Sequence, residues 1–143
     1  MPSAGVKARI DRFWMAVKRL HEICGVALTI FVSDKNLVDA GERNLQVAIE
    51  AVVDVGEALI ASMGWMTPKS YRNVGRILIE NGVIGKTLGE TFEKAIKLRN
   101  ILIHNYIYLA PENVYDNIEE LKGSLTAIMS SIINYMQTHG IDP

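Results

Sequence analysis

Between Lys97 and Tyr106 the chain reads Lys-Leu-Arg-Asn-Ile-Leu-Ile-His-Asn-Tyr. A guanidinium (Arg99), two amides (Asn100 and Asn105), an imidazole (His104) and a phenol (Tyr106) stand close together there. Arg99 keeps its charge at every physiological pH, and its planar fork matches two oxygens of a phosphate. An unperturbed imidazole titrates near about 6.5, so His104 can accept or donate a proton near neutrality. This pairing suits proton transfer beside an anionic centre. The ordinary roles of the same residues are plainer. A His near a helix C-terminus often caps carbonyls or complements the dipole. An Arg one turn earlier often sits in a surface ion pair.

The element that must carry these groups is a helix. Leu88, Phe92, Ala95, Ile96, Leu98, Leu102 and Ile103 recur close to the helical period, which predicts a helix over Thr87 to Ile103. Thr87 with Glu90 has the form of a capping box at its start. Pro111 suits the first turn of a following helix. His104 and Tyr106 then fall where the first helix frays, next to a loop. Five residues at about 100° each separate Arg99 and His104 by roughly 140° around a straight helix. The two can flank one site if the helix end is irregular, or if two copies of the helix pack together.

The order Arg99, four residues, His104, Asn105, Tyr106 resembles the R-x4-H-x-Y motif of the HepT-like ribonuclease toxins of the HEPN superfamily. The similarity extends through Glu42 to Ala51, Asp54, Pro68-Lys69-Ser70-Tyr71 and Glu80 to Ile84, in the family's order, and covers roughly residues 40–125. A bare R-x4-H would arise by chance on many helices; the ordered set is far more specific. The resemblance implies a small all-α antiparallel bundle of about five helices, forming a homodimer. It implies a metal-independent endoribonuclease, the toxin of a toxin–antitoxin pair whose partner is a minimal nucleotidyltransferase antitoxin.

By the same resemblance, Arg99 and His104 are the catalytic pair in a composite site to which both chains of a dimer contribute. The RNA's own 2′-OH would attack the adjacent phosphate, leaving a 2′,3′-cyclic phosphate. Asn100 and Asn105 are expected to support the site, Asn105 by positioning the phosphate or the His ring. Family members often carry Asp at the position of Asn105, so its part is the least defined. Related antitoxins transfer AMP to the motif tyrosine, which would make Tyr106 a modification site.

Composition sets the outer limits. A chain of 143 residues with 49% apolar and 22% charged residues is enough for one domain with one core, read here as residues 1–143. No long uncharged apolar run predicts a membrane span, and Met1 to Gly5 do not begin a signal peptide. Cys24 is the single cysteine, which excludes an intrachain disulfide and a thiolate metal site and fits a reducing cytoplasm. A net charge of −1 argues against a general nucleic-acid coat, though not against a local basic site. Neither a cofactor nor a metal is expected.

The rest of the chain reads as further helices. Val6 to Ile23 places Ile10, Phe13, Trp14, Val17 and Leu20 at helical spacing, with Lys7, Arg9, Arg12, Lys18 and Arg19 on a basic face able to meet phosphate. Val26 to Val32 has the propensity of a short strand, whereas the family resemblance implies a helix–helix connection. Asn36 to Met63 is the longest predicted helix, with an N-cap from Ser33-Asp34-Lys35 and Gly64 at C′. Its Glu50, Asp54 and Glu57 recur on the polar side, where carboxylates are usually solvated; Arg43 and Asp54 are candidates for ion pairs behind the active site. Pro68 is expected at N1 of a helix over Lys69 to Asn81, and Pro111 to His139 forms the last helix. Two rivals to the ribonuclease stand beside it. One is a non-catalytic helical partner, or nucleotide-sensing subunit, of a nucleotidyltransferase. The other is a structural helical adaptor.

Overall fold

The computed structural model describes residues 4–104 and 109–141, and these form six helices. They are α1 (Ala4–Cys24), α2 (Leu28–Ser33), α3 (Lys35–Met63), α4 (Tyr71–Glu80), α5 (Lys86–His104) and α6 (Pro111–Thr138). No strand occurs among the described residues. The additional element is α2. Its β-branched run would expose an unpaired ladder as a lone strand. Coiled as a helix it buries Phe31 against α3 and α6.

The long α3 is the axis of the bundle and packs against each of the other five helices. Its apolar side accounts for this: Leu45, Ala48, Ile49, Val52, Val53, Val55 and Leu59 are wholly or almost wholly buried. Asp34 caps its start, accepting from the backbone N–H of Asn36 and Leu37 at 3.0 and 3.3 Å. Gly64 ends it with φ 71°, the left-handed conformation that costs glycine nothing. On α6, Val114, Ile118, Leu121, Leu125, Ile128, Met129, Ile132 and Met136 form one continuous buried stripe. Met129 and Met136 of α6 are therefore core.

Several expected boundaries move. Ser70, not Pro68, opens α4, because its side chain accepts from Asn73 N–H at 3.2 Å. Asn73 returns the favour, its Oδ1 accepting from Lys69 N–H at 3.1 Å. Thr87 is not a cap: α5 begins at Lys86, and Gly85 already accepts from Gly89 N–H. Trp14 is 39% exposed rather than inward, since Phe13 beside it takes the core position and leaves Trp14 edge-on at 4.9 Å. Ile103 is likewise on the surface, in the last turn of α5.

Candidate active site

Arg99 lies on α5 one helical face away from solvent, with its side chain 18% exposed. A guanidinium in that position needs a partner, because desolvation without one is costly. Glu50 of α3 supplies it. A single oxygen, Oε2, accepts from Arg99 Nε at 2.9 Å and from Nη2 at 2.8 Å. Gln46, one turn earlier on α3, donates to the same oxygen at 3.5 Å. The remaining terminal nitrogen, Nη1, donates to Oδ1 of Asn100 at 3.1 Å. The guanidinium also lies over the ring of Tyr71, 4.6 Å from its centroid, a cation–π contact from the first turn of α4. Three helices thus hold the Arg99 head group from three directions.

Beside it is an open cleft of about 250 Å³ lined by Ser70, Tyr71, Arg72, Ile96, Arg99 and Asn100. The family-like segment Ser70-Tyr71 therefore has a physical role: Ser70 caps α4, and Tyr71 presents its ring to Arg99. On the other side of Glu50 is a second cleft of about 270 Å³, lined by Arg9, Arg12, Arg43, Val47, Glu50, Ala51 and Asp54. Asp54 is paired there with Arg9 of α1, Oδ2 to Nε at 2.9 Å. Asp54, a candidate for an ion pair behind the active site, pairs with Arg9 of α1 and not with Arg99. Glu50, expected among solvated carboxylates, is the residue that holds Arg99. The i, i+4 spacing of Gln46, Glu50 and Asp54 was visible in the chain, but the approach of α5 to Glu50 rather than Asp54 was not.

His104 is the last residue of α5 and is exposed. Arg99 and His104 belong to one helix, the first turned toward α3 and α4 and the second at its open end. Asn100 joins Arg99 directly through the hydrogen bond above. Asn105 and Tyr106 lie outside the described residues. Among the described residues no three His, Cys, Asp or Glu side chains come together as a metal would require. No helix there is long and apolar enough to cross a membrane.

An all-α bundle with an R-x4-H helix end and an anchored arginine defines the class. The model of the ribonuclease HepT-like family matches residues 15–132, and the chain belongs to that family. It is 30% identical over 90 residues to the mRNA nuclease HepT of Shewanella oneidensis, covering 63% of this chain and 67% of that one. It is 26% identical over 104 residues to the putative RNase YutE of Bacillus subtilis, covering 70% and 72%. The fold is close to that of a tri-AMPylated Shewanella oneidensis HEPN toxin solved in complex with an MNT antitoxin, with a TM-score of 0.83, 24% identity, and 91% and 97% of the two chains covered. It is also similar to that of Bacillus subtilis YutE, with a TM-score of 0.80, 19% identity, and 97% and 95% covered.

Proposed function

We propose that this protein is a metal-independent endoribonuclease that cleaves RNA by transesterification, with Arg99 and His104 as its catalytic residues. The observation that carries this reading is the anchored guanidinium. Glu50, Asn100 and Tyr71 hold Arg99 in one place beside a cleft, as electrostatic stabilisation of a transition state demands. In the reaction the 2′-oxygen of a ribose attacks the adjacent phosphorus. The new O2′–P bond forms as the P–O5′ bond breaks, giving a 2′,3′-cyclic phosphate and a 5′-hydroxyl. His104 serves as base toward the 2′-OH or as acid toward the leaving oxygen. Arg99 meets the negative charge that builds on the non-bridging oxygens. Asn105 positions the phosphate or the imidazole, and Asn100 fixes the outer edge of the Arg99 fork.

The site is composite. Two copies of α5 meet in a homodimer, so that Arg99 of one protomer faces a phosphate shared with His104 of its partner. That arrangement answers the separation of the two residues around one helix. The family membership and the antitoxin-bound likeness support a toxin role with a minimal nucleotidyltransferase as antitoxin. In the silencing step, the phenol oxygen of Tyr106 attacks the α-phosphorus of ATP, and pyrophosphate leaves. The anionic nucleotide then occupies the place of the RNA phosphate. The alternative, a non-catalytic partner or nucleotide-sensing subunit of a nucleotidyltransferase, shares the assembly and lacks the cleavage.

The test is RNA cleavage by the purified, unmodified protein in excess chelator. Wild-type cleavage that both Arg99→Ala and His104→Ala lose by at least a hundredfold, with their helical spectra unchanged, is the expected result. Absent cleavage with no AMP in the intact mass would favour the binding subunit instead.

A further inference from the structure

We infer that the cleft between α1 and α3 is a binding subsite for a second phosphodiester of the RNA strand, engaged by Arg12 and Arg43. The inference rests on the proposed ribonuclease reading and extends its substrate contacts beyond Arg99. Three guanidiniums and two carboxylates line this cleft of about 270 Å³. Both carboxylates are already engaged, Asp54 with Arg9 and Glu50 with Arg99. Arg12 and Arg43 make no ion pair among the described residues, and both are exposed. Two guanidiniums facing one cleft, beside carboxylates that other groups neutralise, form a local anion site in a chain of net charge −1.

Its position supplies the ligand class. Glu50 is a wall of this cleft, and the same side chain grips Arg99. The cleft and the Arg99 site are therefore the two sides of one carboxylate. A strand whose scissile phosphate lies at Arg99 has its neighbouring phosphates within reach of whatever flanks Glu50. Val47 and Ala51 are the apolar members of the cleft's lining, and both are small. Contacts of this kind add affinity that depends on salt and carry no base specificity.

The test uses the full chain and a 2′-O-methyl oligoribonucleotide, whose blocked 2′-oxygen prevents cleavage. Fluorescence anisotropy gives its Kd across a salt series for the wild type, for Arg12→Gln/Arg43→Gln, and for Lys18→Gln/Arg19→Gln. The last pair removes the same charge from exposed positions of α1 outside the cleft. The expected result is a Kd raised at least tenfold by the cleft pair and less than twofold by the other. The slope of log affinity against log salt falls with the cleft pair by about 0.7 for each phosphate released. Either single cleft variant gives a smaller change in the same direction, which keeps the test open if the double variant unfolds. Equal losses from both pairs, or no loss from the cleft pair, would overturn the subsite. So would a cleft pair that keeps RNA affinity while losing self-association or nucleotidyltransferase binding, because the cleft would then be a protein interface. The probe is never cut, so a wild type that binds it through this cleft without cleaving RNA sinks only the proposed activity. Cleavage with no effect of the cleft pair on binding sinks only the subsite.

Discussion

One carboxylate oxygen, Glu50 Oε2, receives two nitrogens of the Arg99 fork, and the direction in which that fork can meet a phosphate depends on it. Glu50→Gln removes the charge and keeps the shape. Arg99 is then left partly desolvated without a counter-ion, and stability should fall by about 1–2 kcal/mol, less than for a fully buried pair. If the anchor matters for catalysis, kcat should fall about tenfold or more while KM changes little. Urea unfolding beside single-turnover cleavage separates the two effects. A lower stability with unchanged kcat would make the pair structural only. Cys24 gives a second prediction at this scale. Burial first, and the Glu119 charge second, push its thiol up to about 11. At pH 8 only about one molecule in a thousand then carries the reactive thiolate. Alkylation by iodoacetamide, followed by mass, should be on the order of a hundredfold slower than in urea. The rate should climb with pH throughout the range up to the thiol's raised value.

At the scale of elements, the site depends on how closely α4 approaches α5, since Tyr71 and Arg99 face each other across that contact. Gly89 makes the approach. A Cβ there would run into Cδ1 and Cγ1 of Ile79 on α4. Gly89→Ala gains about 1 kcal/mol in helix propensity and loses about 2–3 kcal/mol to overpacking, for a net loss of about 1–2 kcal/mol. Gly123 on α6 faces open space, so Gly123→Ala keeps the propensity gain and should raise stability by about 0.5–1 kcal/mol. Denaturant melts of the two variants check the contrast. Equal effects would show that the packing of α4 on α5 is loose. The unforeseen α2 belongs at this scale too. Phe31 fills a space beside Gly41 of α3, and Tyr115 of α6 donates to the carbonyl of Val26 at 2.8 Å, which fixes the turn before it.

At the scale of the whole molecule, the proposed composite site makes a prediction that a one-chain site cannot. On that reading Arg99→Ala and His104→Ala protomers should each be inactive alone. Mixed in equal amounts and allowed to exchange, half the dimers should be hybrids, each with one intact Arg99–His104 pair across the interface. RNA cleavage should recover to about a quarter of the wild-type rate. If each chain holds its own site, the mixture stays as inactive as its parts.

Apart from the six-residue α2, the helices of the bundle were legible in the chain because they keep their apolar residues at the helical period, most clearly along the long α3 and α6. The motif at the end of α5 was legible because Arg99 and His104 sit in one local stretch, and Asn100 was named with them for the same reason. Their surroundings were not. Helix propensity says nothing of which α3 carboxylate α5 will meet, and Glu50 and Asp54 are equivalent in the sequence until the crossing of α1, α3 and α5 assigns one to Arg99 and the other to Arg9. Trp14 and Phe13 are likewise adjacent apolar residues until packing turns one inward. Local periodicity is a property of neighbours in the chain, so the sequence by itself determined an all-α protein with a candidate catalytic helix end. Pairing across helices depends on rotation and approach distance, and only the tertiary structure decided that Arg99 is anchored by Glu50 between two clefts.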